Sequence, residues 1–221
     1  MALCYSVAEY CSPVWSRSSH SKTVDRKLNE SMRIITGCLK STPVQWLPTL
    51  SSIAPPHIRR EEATQKIISQ LEEMEDNIPL KRVMKSAPTS SRLRSRRPFY
   101  KVEANNSTLF ERWKEEWARN KPNGGSIIED PTQRPPGFEK STRKQWVTSN
   151  RLLTGHGRTA SNMHKWGLRE SPICQRCGET PETTDYIVLQ CPVSRLKGGY
   201  KTVLECDDPL KTWIDSFRVE V

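Results

Sequence analysis

The stretch SPICQRCGETPETTDYIVLQCP, residues 171–192, decides how this chain is read. Cys174 and Cys177 form a Cys-x-x-Cys hook, thirteen residues separate Cys177 from Cys191, and Pro192 follows directly. Thiolates at the ends of such a hook can grip one Zn²⁺, and a third from a short downstream helix nearly completes a tetrahedral structural site. A knuckle of this spacing takes an imidazole about five residues before its last cysteine, and Tyr186 stands at that position. A neutral phenol, with a pKa of about 10, is a poor zinc ligand. The fourth place is left to Asp185, to His164 folding back from the preceding helix, or to water. Thr183 caps a short helix running to Gln190, on which Tyr186 and Cys191 fall near the same side. The alternative is a metal-free relic whose cysteines merely pack.

Outward from the hook, the pattern is helical. Ser141 can cap a helix reaching Leu153, with Gly155 placed to end it in the left-handed conformation. A shorter helix near Ala160–Trp166 ends at Gly167, residues 193–205 read as a weaker one, and Asp208 as N-cap with Pro209 at N1 opens the last. Toward the N-terminus, Val24, Leu28, Met32, Ile35 and Leu39 make an apolar helical stripe. Trp46 pins an irregular Pro-bracketed segment on the core. A helix over 57–74 carries Ala63, Ile67, Leu71 and Met74, with Arg59 and Arg60 exposed near its start. Thr108 followed by Glu111 is a capping box opening a helix whose Phe110, Trp113 and Trp117 face one way. No alternating strand pattern or internal repeat is present. The fold class is all-α: small helical modules on flexible basic and Pro/Gly-rich linkers, with one degenerate zinc-knuckle-like loop. The modules are 1–76, a basic linker over 77–106 expected to be disordered in isolation, a short helix plus linker over 107–140, and 141–221.

Charge is distributed unevenly. The net charge is +10, yet residues 1–80 hold nine basic and nine acidic side chains, while residues 81–101 hold eight basic and no acidic ones. Residues 141–173 add six basic side chains against Glu170 alone. Two localised basic zones suggest contact with phosphates. Arg92, Arg94, Arg96 and Arg97 run into Phe99 and Tyr100, aromatics able to stack on unpaired bases. Around the cysteines, Arg143, Lys144, Arg151, Arg158, Lys165, Arg169 and Arg176 can ring one face, and Trp146 and Trp166 are read as packing residues. The expected partner is RNA or single-stranded DNA. No run approaches 18 apolar residues, so no membrane span is expected. Seven cysteines with a hook in a basic chain fit metal better than disulfides, and place the chain in a reducing compartment, nucleus or cytoplasm.

Catalytic patterns are missing. Polymerase or nuclease chemistry needs carboxylates converging on Mg²⁺, whereas Glu61-Glu62, Glu72-Glu73, Glu75-Asp76, Glu115-Glu116 and Asp207-Asp208 all read as helix surface or helix ends. Gly155-His156-Gly157-Arg158 lacks the full phosphate-loop pattern and reads as a helix-terminating turn.

Taken together, Leu153-Thr154-Gly155-His156-Gly157, Lys165-Trp166-Gly167-Leu168, Ser171-Pro172-x-Cys174-x-x-Cys177-Gly178, Pro181-Glu182-Thr183-Thr184 and Cys191-Pro192 closely resemble the C-terminal end of non-LTR (LINE-type, jockey-like) retrotransposon reverse transcriptases. Leu3-Cys4-Tyr5-Ser6, Ala8-Glu9-Tyr10-Cys11-x-Pro13-Val14-Trp15, Trp46-Leu47-Pro48 and Ile53-Ala54-Pro55-Pro56-x-x-Arg59-Arg60 look like the thumb-like helical segment after the polymerase palm in those proteins. The resemblance implies a region that helps an RNA-directed DNA polymerase grip RNA or DNA, with Cys174, Cys177 and Cys191 as knuckle ligands and Tyr186 where the family has histidine. No Asp-Asp polymerase motif precedes Met1 and no endonuclease residues can be identified, so the chain reads as a noncatalytic, truncated element. The remainder of a reverse transcriptase is a further candidate partner. A second reading is a helical interaction remnant exposing Trp113 with Trp117, or Trp213 with Phe217, to a partner. The third, inherited polymerase activity, has no residues to carry it.

Overall fold

In the computed structural model, which describes residues 2–86 and 107–217, eleven α-helices run in order and no strand is formed among the described residues. They are α1 (Ala2–Glu9), α2 (Ser12–Trp15), α3 (Ser21–Thr36), α4 (Trp46–Ser51), α5 (Pro56–Glu73), α6 (Pro79–Ser86), α7 (Leu109–Arg119), α8 (Arg143–Thr154), α9 (Ala160–Lys165), α10 (Gly199–Glu205) and α11 (Asp208–Phe217). A π-helical turn, Tyr186–Gln190, lies between α9 and α10. The all-α class read from the sequence is the one observed. The chain divides into two compact units, one of Met1–Ser31 and Ala54–Glu116, the other of Met32–Ile53 and Trp117–Val221. No described helix is long and apolar enough to cross a membrane. Arg92, Arg94, Arg96 and Arg97, with most of the basic linker, lie outside the described residues.

In the first unit, apolar burial alternates with charge pairing. Ile58, Ile68 and Leu71 of α5 are buried; Leu71 belongs to the expected stripe, whereas Ala63 and Ile67 are half-buried and Ile68 takes the inner place. Met74, 40% exposed, is not part of the buried face. Arg59 and Arg60 are not exposed cations. Arg60 is 5% exposed and grips Asp25 with both terminal nitrogens, its guanidinium 5.5 Å from the Trp15 ring centroid. Arg59 reaches Glu9 through Nε (2.7 Å) and Nη2 (2.6 Å) and lies 4.8 Å over the Tyr5 ring. The Thr108–Glu111 capping box is present (Glu111 N–H to Thr108 Oγ1 3.2 Å; Thr108 N–H to Glu111 Oε2 2.7 Å). Leu109, rather than Phe110, joins Trp113 against Ala54 and Ile58, and Phe110 is 58% exposed. Arg112 on the same helix pairs with Glu61 (3.3 Å) and Glu62. Helix α6 corrects the expectation of a disordered linker from residue 77 onward: its Leu80 and Val83 lie one turn apart, a pattern too short to be read as a helix, and both are exposed.

The second unit has the larger apolar interior. Trp46, Leu47 and Leu50 of α4 are sealed off, so the segment expected to be irregular is a short helix. Trp46 meets Trp117 edge-on at 5.8 Å, and the Trp117 indole donates to the Ile128 carbonyl at 3.2 Å. Helix α8 opens on Thr142, not Ser141, with a capping box to Gln145. Ser141 instead donates to the Gly137 carbonyl at 2.6 Å. Gly155 ends the helix at φ 70°, as its position predicts. Ser149 of α8 donates to the Val203 carbonyl of α10 at 2.6 Å, and α11 is capped by Asp207, one residue before the expected Asp208 (Leu210 N–H to Asp207 Oδ1, 3.0 Å). The last carbonyls of an α-helix have no partner within it. At the end of α3 they are met by side chains from α8: Asn150 to Thr36 (2.9 Å), Arg151 to Gly37 (2.8 Å), and Arg143 to Ile34 (2.5 Å) and Ile35. Guanidinium groups at this end also complement the helix dipole.

Candidate metal centre

The hook is a tight loop closed by backbone bonds. Ile173 and Pro181 form an isolated antiparallel bridge, the Cys174 N–H donates to the Thr180 carbonyl (2.9 Å), and the Gly178 N–H to the Cys174 carbonyl (2.8 Å). Gly178 closes the turn at φ 74°, a conformation that costs a residue with a Cβ. Within this loop the N–H groups of Arg176 and Cys177 point at the Cys174 sulfur, and that of Glu179 at the Cys177 sulfur. Donors aimed at sulfur stabilise the thiolate, the form that binds metal.

Cys191 arrives from the π turn. Residues five apart in an α-helix point about 140° away from each other, because each residue turns the chain by about 100°. A π turn closes an i→i+5 bond and brings the fifth residue back over the first. Here the Cys191 N–H donates to the Tyr186 carbonyl at 2.8 Å. The shared side expected for Tyr186 and Cys191 is real, but it is the π turn that creates it. Thr183 caps the segment as predicted, its Oγ1 accepting from the Tyr186 N–H at 3.1 Å.

The three sulfur atoms of Cys174, Cys177 and Cys191 lie within 4.8 Å of one another, with Cys174 and Cys191 fully buried and Cys177 half-buried. The cluster can hold a metal ion. Tyr186 completes the enclosure: its Oη is 3.0 Å from the Cys177 Sγ. That bond draws the Cys177 thiol down to about 7 and pushes the phenol up to about 12; a metal-bound Cys177 is a thiolate, which can only accept, so the hydroxyl is then the donor. Burial pushes the Cys174 thiol up.

Neither expected fourth ligand joins the group. Asp185, one step before Tyr186 on the turn, points elsewhere and accepts from the Tyr200 hydroxyl at 2.5 Å. His164 is exposed in the last turn of α9, whereas it is the first turn of that helix that is tied to the hook segment. The Ala160 N–H donates to the Glu182 carboxylate (3.0 Å) and the Ser161 N–H to the Glu182 carbonyl (3.1 Å). Among the described residues, zinc is therefore matched by three soft donors of a structural site and not by a fourth nitrogen or sulfur. Glu182, which also pairs with Arg176 at 3.6 Å, is a positioning residue the sequence reading missed. Its signal was an acidic residue four positions before a histidine-like slot, too common a pattern to single out.

The basic candidates separate into two sets. Arg143, Arg151 and Arg176 have partners within the chain: carbonyls for the first two, Glu182 for the third. Lys144, Arg158 and Lys165 are exposed, Arg169 is half-buried, and none of the four makes an ion pair among the described residues. Burial, with Arg158 and Arg143 close by, pulls the Arg151 pKa down, a sign of crowded positive charge. Trp146 is a packing residue, edge-on to Phe138 at 4.8 Å. Trp166 is not: it is 40% exposed and is followed by Leu168 at 68%.

Residues 138–196, just over a quarter of the chain, match a domain family described as zinc-binding in reverse transcriptase. No curated protein and no solved structure matches the chain. The segment that contains the hook, the π turn and all three thiols is thus related to the zinc-binding region of reverse transcriptases.

Proposed function

We propose that the chain is a noncatalytic part of a non-LTR retrotransposon reverse transcriptase, and that it grips RNA or single-stranded DNA. The observation that carries this reading is the exposed Trp166, flanked in sequence by Lys165 and Arg169, inside the segment related to the reverse-transcriptase zinc-binding domain. An aromatic face bordered by cations is how proteins hold unpaired strands without reading their sequence. Arg158 and Lys144 are further exposed cations of the same segment, and the arginines at 92–97 are assigned as a second contact segment. Zn²⁺ held by Cys174, Cys177 and Cys191 would serve structurally, fixing the hook against the π turn. The interaction-remnant reading loses its support, because Trp113, Trp117 and Trp213 are 3%, 4% and 6% exposed and face their own units. Phe217 has no described side chain.

Purified protein should bind single-stranded RNA and DNA at physiological salt, with affinity falling steeply as salt rises. Replacing Trp166 by Ala should weaken binding by about 1–3 kcal/mol whatever the sequence. Primer extension with Mg²⁺ or Mn²⁺ should yield no product. Affinity indifferent to salt would refute nucleic-acid binding, and robust synthesis would refute the noncatalytic assignment.

A further inference from the structure

The departure of this centre from a four-ligand zinc site lies in Tyr186, and the geometry assigns that residue a definite role. Two atoms bound to one tetrahedral zinc, a sulfur at about 2.3 Å and an oxygen at about 2.0 Å, lie about 3.5 Å apart. The Tyr186 Oη is 3.0 Å from the Cys177 Sγ, which is hydrogen-bond distance. The ring has little freedom to leave. It is 7% exposed, and its backbone is held at both ends by the bonds to Thr183 and Cys191. Asp185 is engaged by Tyr200, and no histidine or carboxylate joins the three sulfurs among the described residues.

We propose that Tyr186 covers the centre as a hydrogen-bond donor to Cys177 and not as a fourth ligand, so that the centre favours soft ions satisfied by three thiolates, of the Cu(I) class, relative to Zn²⁺. Thiolates select soft ions. Structural zinc is almost always four-coordinate, and here it is left one protein ligand short. A hydroxyl bonded to a coordinating sulfur belongs to the outer shell, which tunes affinity without setting coordination number. Tyr186 is thereby the residue that determines which ion the three cysteines discriminate for.

The test titrates the reduced, metal-free full chain anaerobically with Zn²⁺ and with Cu(I), each against a chromophoric chelator. It uses wild type, Tyr186→Phe and Tyr186→His. Tyr186→Phe should loosen both ions alike, by about tenfold, the lower end of an outer-shell loss. Tyr186→His should tighten Zn²⁺ by more than about a hundredfold, beyond any outer-shell effect, while Cu(I) moves by less than about tenfold. Loaded with Co²⁺, wild type and Tyr186→Phe should share one absorption spectrum. The proposal is overturned if Tyr186→Phe weakens Zn²⁺ selectively by more than about a hundredfold, which would make the phenol a ligand. A Co²⁺ spectrum altered by Tyr186→Phe, equal changes for both ions in Tyr186→His, or no binding in any form would overturn it as well.

Discussion

In the unit of residues 1–31 and 54–116, the buried Arg60 and Arg112 and the half-buried Arg59 are each neutralised by a carboxylate: Arg59 by Glu9, Arg60 by Asp25, Arg112 by Glu61 and Glu62. In the other unit Arg33, Arg143 and Arg151 are held just as firmly, but by backbone carbonyls at and beyond the end of α3. The two solutions satisfy the same hydrogen-bonding demand with different electrostatic results. A carboxylate cancels the charge, whereas the carbonyls at a helix end orient the guanidinium and offset its charge only in part. The described residues of the first unit carry twelve basic and twelve acidic side chains, and those of the second carry seventeen and eleven. Among the described residues the first unit is thus neutral and the second carries six excess positive charges, which the proposed function assigns to nucleic-acid contact.

The largest expected difference between the units is their response to metal removal. With metal bound, chelation should accelerate hydrogen exchange across residues 171–196 and leave α5 protected, because binding and folding of a small metal site share one free energy. A complete zinc site is worth an apparent 10–16 kcal/mol or so, and a three-thiolate one should fall well below that. Equal exchange with and without chelator would remove the centre from the account.

Next is the cost of breaking a carboxylate pair. Arg60→Met strands Asp25 beside an apolar surface and should destabilise the first unit by about 3 kcal/mol, measured by urea unfolding followed through tryptophan fluorescence. The corresponding change in the second unit is smaller. Asn150→Ala removes a neutral donor from the Thr36 carbonyl and should cost about 1–2 kcal/mol. If the order of these two losses is reversed, the contrast between charged and neutral anchoring fails.

How far these contrasts could be read from sequence depends on range. The stripe Leu28–Met32, the caps at Thr108 and Thr183 and the helix end at Gly155 were legible, because each rests on residues within one or two turns. The Asp25–Arg60 pair spans 35 residues and Asn150–Thr36 spans 114, and no local pattern distinguishes such a residue from a surface one. That is why Arg59 and Arg60 looked exposed, and why segment 32–53 gave no sign of its partners in α8. The three cysteines of the site were legible from spacing alone. The roles of Tyr186 and Asp185 were not, since they depend on a π turn that shifts side chains off the α-helical wheel, and that of His164 was not, since it depends on which end of α9 Glu182 holds.

The smallest predicted effect is in the pH dependence of the first unit. His57 Nε2 lies 2.6 Å from Glu116, and that hydrogen bond raises the imidazole pKa, against an opposing contribution from burial. A raised folded-state pKa gives stability that is complete below the unfolded value of about 6.5 and is lost as pH rises through the folded one. The stability gap between wild type and His57→Gln should therefore be largest below the unfolded value of about 6.5 and close as pH rises through the raised folded-state value. The pair is half-exposed and screened, so the gap should stay below about 1 kcal/mol. A gap that widens with pH would contradict the assignment.

The claim that the second unit keeps uncancelled charge for a nucleic acid is tested most directly by the salt dependence of single-stranded RNA binding. Each phosphate contact contributes about −0.7 to the slope of log affinity against log salt. Replacing Lys144, Arg158, Lys165 and Arg169 by Gln together should reduce the magnitude of that slope by about 3, whereas replacing the exposed Lys22 and Arg26 of the first unit by Gln should leave it unchanged. A slope untouched by the four substitutions, or reduced equally per charge by the two, would contradict the account.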